Sequence, residues 1–220
     1  MSFYVTDKAA AAKVETGGNY ISKSGLYDVT IKSVIVDTNN KGSNTLSLYV
    51  NYNGQDQVLY SLIRLTNNDG TPSFQLPLFN DLCIISGVDS IGDPSEETLP
   101  IGKSGADKEV AVLEDLSDIE VKLWIQQEFK IYDGSMRESK NLLGIYTTDG
   151  TSADEILNES PSGVRLAKKA KYHEVISYKE GATPELVEEW VAAGYPKNSL
   201  GGSAVAAPKP SFGKPSFGKK

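Results

Sequence analysis

The stretch Ile119 to Tyr132, IEVKLWIQQEFKIY, changes polarity at nearly every step. Successive side chains of a strand point to opposite faces, so Ile119, Val121, Leu123, Ile125, Phe129 and Ile131 fall on one face, and Glu120, Lys122, Trp124, Gln126, Glu128, Lys130 and Tyr132 on the other. The first set is core. The second places a Trp and a Tyr among lysines, and rings interleaved with cations stack unpaired bases at roughly 1–3 kcal/mol each while holding the neighbouring phosphates. The other reading of that face is that a loop or a subunit interface covers Trp124.

The pattern before this strand predicts an antiparallel sheet. Leu26 to Val36 alternates with a slip near Ser33 that marks a bulge, Thr45 to Tyr52 alternates up to the hairpin dipeptide Asn53-Gly54, and Val58 to Thr66 completes a meander. A helix follows between Phe74 and Ser86, with Ser73 as its N-cap and its regular part after Pro77. An acidic loop then leads to the Ile119 strand, the Asp133-Gly134 turn and a fifth strand from Leu142 to Thr147. Three strands, a helix and two strands is the element order of the OB-fold, a five-stranded barrel whose second and third strands form a binding platform. A plain antiparallel sandwich is the other architecture that fits. The fold class expected is mainly β, with the barrel domain at residues 19–150, a preceding extension at 1–18, a helical extension at 151–198 and a disordered basic tail at 199–220.

The net charge is -7 and the sequence pI about 4.9, which argues against a protein that coats duplex DNA through its overall field. Charge is unevenly placed. Between Asp93 and Glu120 acids far outnumber Lys103 and Lys108, so this segment is expected away from any phosphate-binding groove or as a solvated loop. Val164 to Tyr172 instead gathers Arg165, Lys168, Lys169 and Lys171 without an acid, as a phosphate-contacting element or a solvated helix face. Ser152 with Glu155 reads as a capping box, and Thr183-Pro184-Glu185 as the start of a helix ended by Gly194 and Pro196. The last residues repeat Lys-Pro-Ser-Phe-Gly at 209–213 and 214–218, a composition that cannot bury enough to fold.

Catalytic sets are sparse. His173 is the single histidine and Cys83 the single cysteine, so neither a Cys/His metal cluster nor a Cys-His dyad with an orienting partner can be assembled, and no glycine cluster has phosphate-loop spacing. Cys83, in an apolar segment, reads as core. No apolar run approaches the ~18 residues of a membrane span, and the first residues lack a signal-peptide layout. A binding protein with no enzymatic activity and no cofactor is the expectation. Strand parity assembles the candidate nucleic-acid face: Trp124, Tyr132, Tyr49 and Tyr60 to stack bases, and Lys122, Lys130, Arg64, Arg137 and Lys140 to neutralise phosphates.

The opening Gly25-Leu26-Tyr27-Asp28-Val29-Thr30-Ile31, the element order, the aromatic-lysine strand and the low-complexity end together resemble the single-stranded DNA-binding proteins of tailed bacteriophages, over roughly residues 19 to 148. The resemblance implies an OB-fold with a flexible tail, coating of unpaired DNA during phage replication and recombination in the cytoplasm of a bacterial host, and recruitment of replication proteins through the tail. Tails in that family are usually acidic with a terminal aromatic residue, whereas this one is basic. The competing function is a phage structural or protein-interaction module using the same aromatic face, and a third is an oligosaccharide-binding barrel.

Overall fold

The computed structural model describes residues 19–102 and 105–195. The expected extension at 1–18 and the tail from 199 lie outside them. The chain divides into two compact units, Met1–Glu128 with Ser139–Ser177, and Phe129–Glu138 with Tyr178–Lys220.

Among the described residues the sheet has eight strands: β1 (Gly25–Thr38), β2 (Asn44–Tyr52), β3 (Gln55–Arg64), β4 (Ser95–Leu99), β5 (Lys108–Val112), β6 (Ile119–Tyr132), β7 (Ser135–Tyr146) and β8 (Ser177–Lys179). Among the described residues four α-helices accompany them: α1 (Leu76–Ile85), α2 (Ala153–Leu157), α3 (Val164–Lys168) and α4 (Pro184–Ala192). Strand order is β3-β2-β1-β5-β4, with β6 pairing β1, β7 and β8. Among the described residues β7 pairs with β6 alone, so the sheet is open and antiparallel, and the expected closure into a five-stranded barrel is corrected.

β1 organises the first unit. One edge pairs with β2 from Thr30 to Thr38, while the other pairs with β6 from Gly25 to Ile31 and then with β5 at Ile35 and Val36. The change of partner coincides with a register shift between Ile31 and Ser33, the bulge that the alternation predicts there, because an extra residue bends and twists the strand. At the β2–β3 hairpin Asn53 and Gly54 both have positive φ (50° and 79°), the backbone that favours Asn-Gly and matches strand twist. A second shift lies between Leu46 and Leu48, opposite Ser61, whose φ of 50° turns its N–H onto the Ser47 hydroxyl at 3.0 Å. Across this shift β3 has three residues where β2 has one, and Leu62 and Ile63, neighbours in sequence, are both buried.

The main core joins Ile31, Val34, Leu46, Leu48 and Val50 with Val121, Leu123 and Ile125 of β6 and Leu82 of α1. Pro77 stands in the first turn of α1, where its missing N–H costs nothing, and the half-buried Cys83 packs against the same core. The expected Ser73 N-cap is corrected by two residues: Gln75 is the cap, and the Ser73 hydroxyl accepts the Gln75 N–H. A smaller apolar cluster collects Ile35, Tyr49, Leu99, Val110 and Val112. The acidic segment therefore contains the β4–β5 hairpin. In β4 (SEETL) Leu99 is buried while Glu96, Glu97 and Thr98 are exposed, and in β5 Val110 and Val112 are buried, so one or two apolar anchors carry each strand of an element that its sequence presents as loop. Ser152 caps α2 through the expected box with Glu155, whose carboxylate also accepts the Arg165 N–H.

The second unit is built on aromatic rings. Phe129 stacks on Tyr178 at 6.1 Å and meets Trp190 edge-on at 6.3 Å, and Trp190 meets Tyr195 at 4.8 Å. Thr183 caps α4 by accepting the Leu186 N–H, with Pro184 in the first turn as its sequence predicts. Asp133 and Gly134, both with positive φ, turn the β6–β7 hairpin.

Candidate nucleic-acid interface

In the first unit an open groove of about 630 Å³ runs between β3 and the loop following β4. Tyr60 projects from β3 and is 65% exposed, Tyr20 stands 59% exposed beside it, and Lys140 supplies a cation. Gln55 adds an amide that can donate and accept, the Gln57 amide is bonded to the backbone at Asn19 and Ile21, and Pro100 and Ile101 complete the lining. Two exposed rings, a cation and an amide in an open channel suit an elongated ligand with flat groups and negative charge.

Of the residues expected in this face, Tyr60 and Lys140 line the groove. Tyr49 reaches it from beneath and is corrected as a stacking ring: it is 5% exposed, covered by Leu99, Val110 and Val112. Its hydroxyl donates to Asp56, which also accepts from Lys32 at 2.8 Å and Asn51 at 2.6 Å; the Lys32 ammonium lies 5.1 Å from the Tyr49 ring centre. These donors, Lys32 first, hold the Asp56 carboxyl below its ordinary range, while burial pushes the Tyr49 phenol up. Asp56 is thus a satisfied carboxylate within the wall. The acidic segment, expected away from the groove, builds one side of it, although the liners it contributes are the uncharged Pro100 to Gly102 and Gly105.

Trp124 is also corrected. Its parity is as expected, yet only 6% of it is exposed, because the residues after α3 cross the outer face of β6. Ser24 fastens them there: its hydroxyl accepts the Gln127 N–H at 2.9 Å and donates to the Val175 carbonyl at 3.0 Å. His173 packs edge-on against the indole and Lys169 lies over it, so the basic stretch spends part of its charge on a ring of its own chain. Lys122 is paired with Asp28 and is not a free phosphate contact. Arg64 is exposed at the end of β3 outside the groove lining.

Lys130, Tyr132 and Arg137 belong to the second unit, on the β6–β7 hairpin. Tyr132 is 61% exposed and Arg137 is exposed, while Lys130 is half-buried. They form a smaller aromatic-cation set of their own.

Tyr20 is the groove residue that periodicity missed. It precedes β1, in a segment too short to show alternation. Its one sequence signal is Ile21, an apolar residue among Asn19, Tyr20 and Ser22, which proves 2% exposed and anchors the segment in the core. Among the described residues, no group of three or more His, Cys, Asp or Glu side chains is placed to hold a metal ion, and no helix is long and apolar enough to cross a membrane. No protein-family model matches the chain, and no curated protein matches it.

Proposed function

We propose that this protein binds single-stranded DNA without sequence specificity, in phage DNA replication and recombination, and performs no chemical step on it. The observation that carries the reading is the groove in which the exposed Tyr60 ring stands with the Lys140 ammonium. Bases stack on an exposed ring whatever their identity, and one cation beside it neutralises a phosphate. The element order β1-β2-β3-α1-β6-β7 supports a finer fold assignment, an OB-like arrangement left open and carrying the β4–β5 hairpin as an insertion. Tyr132, Lys130 and Arg137 offer a second place for the strand. The lysines and phenylalanines of the C-terminal repeats, Phe212 and Phe217 among them, are proposed to recruit replication or recombination proteins in the host cytoplasm.

Fluorescence anisotropy of labelled oligothymidine over a salt series tests the reading. Binding should weaken with salt, and Lys140→Ala should lower the slope of log affinity against log salt by about 0.7, the value of one single-strand phosphate contact. Tyr60→Ala should cost about 1–3 kcal/mol of affinity while leaving the melting temperature in place. Affinity unchanged in a folded Tyr60→Ala protein, with the salt slope unchanged in Lys140→Ala, would leave the groove to a protein partner instead.

A further inference from the structure

We infer that Tyr20 is a second stacking ring of the same groove and that Gln57 is the residue that positions it. This rests on the single-strand reading above. Ile21 is sunk in the main core while Tyr20 beside it is 59% exposed and lines the groove, so the ring projects outward. The segment that carries it belongs to no strand, and one side chain does the work of a ladder. The Gln57 carboxamide accepts the Ile21 N–H at 3.0 Å and donates to the Asn19 carbonyl at 3.1 Å, gripping the backbone on both sides of Tyr20. Gln57 is itself on β3, paired with Val50 of β2 in the register, and is three residues from Tyr60. The amide therefore ties the two exposed rings to one rigid strand. A stacking ring on a loose segment would lose much of its contact energy to ordering, and a ring held in advance does not. Carboxamide chemistry is specific to the task, because it must accept from one peptide group and donate to the other; a carboxylate or an aliphatic chain of the same length does one or neither.

A double-mutant cycle on the full chain, read as oligothymidine affinity, tests both parts. Tyr20→Ala should weaken binding about tenfold, comparable to Tyr60→Ala, and Tyr20→Phe should keep the wild-type value, since the ring and not the hydroxyl is used. Gln57→Leu and Gln57→Glu should each weaken binding several-fold. In the Tyr20→Ala background Gln57→Leu should cost nothing further, because there is no ring left to place. Photo-cross-linking of the wild-type protein to an iodouracil-bearing oligonucleotide, mapped by mass spectrometry, should mark Tyr20. Wild-type affinity in Tyr20→Ala beside a weakened Tyr60→Ala overturns the inference and leaves the single-strand reading standing. A full, additive loss from Gln57→Leu without Tyr20 overturns the positioning role. If the wild-type chain does not bind oligothymidine, both the functional reading and this inference fall.

Discussion

The His173 imidazole meets the Trp124 indole edge-on, ring centroids 5.1 Å apart and planes at 73°, although β6 and the segment after α3 are separated by a long stretch of chain. The contact makes Trp124 part of a covered face. Lys169, 5.5 Å from the indole centre, adds cation–π attraction to the same cover.

Trp124→Ala should therefore act on stability, with a loss of about 3–5 kcal/mol typical of truncating a buried Trp, measured by urea unfolding followed by circular dichroism. In a Trp190→Phe background the remaining Trp124 emission should stay constant as oligothymidine is added. Quenching that tracks binding would put the nucleic acid on this ring and contradict the burial.

Stability should fall with acid through His173. Burial first, and then the nearby Lys169, hold its pKa below the ordinary 6.5, with Glu174 opposing. The unfolded chain takes up this proton near pH 6.5 and the folded chain only below it, so the contribution is complete above 6.5 and is lost as pH falls through the folded value. His173→Gln should flatten the pH dependence of the unfolding midpoint in that window; an unchanged profile would mean that the imidazole titrates freely.

Asp56 gives a second, lower window. Its folded pKa is depressed below the ordinary 3.8 by hydrogen bonds from Lys32, Asn51 and Tyr49, so its contribution is present above 3.8 and lost as pH falls through the folded value. Asp56→Ala should cost about 1–2 kcal/mol at neutral pH, chiefly by leaving the Tyr49 hydroxyl without its acceptor, and should remove this part of the acid limb in a urea titration.

At α2, Ser152→Ala should cost about 1 kcal/mol, since the hydroxyl accepts the Glu155 N–H at 3.3 Å while the Glu155 carboxylate accepts the Ser152 N–H at 2.8 Å. Ser152→Thr, which keeps the hydroxyl, should restore most of it in the same unfolding assay.

Where local chemistry decides structure, the sequence was legible. The bounds of β6, the Asn53-Gly54 and Asp133-Gly134 turns, the bulge at Ser33, the Ser152 box and the Thr183-Pro184 helix start all follow from neighbours a few residues apart. β4 and β5 did not show, because two short strands need little apolar sequence when a single Leu99 or a Val110 and Val112 pair supplies the buried face. The site failed in the same way. Parity put Tyr49 and Trp124 on the side away from the main core, but whether that side meets water depends on Val110, Val112 and His173, distant in sequence and unconnected to either ring by any repeat. Lys122 likewise reads as free until Asp28 of β1 comes alongside.

The β4–β5 hairpin is joined to β1 by a short ladder, the pairs Ile35 with Val112 and Val36 with Ala111, extended by the Leu113 N–H to the Val34 carbonyl. So short a seam should open more readily than the longer β1–β2 ladder beside it, and its amides should exchange with deuterium sooner than those of β2. Any opening of this hairpin would move the Pro100–Ile101 side of the groove, while β3, paired along its length with β2, carries the other side. A ligand seated against Pro100 and Ile101 would close the seam, and slowed exchange between residues 96 and 111 would report its arrival.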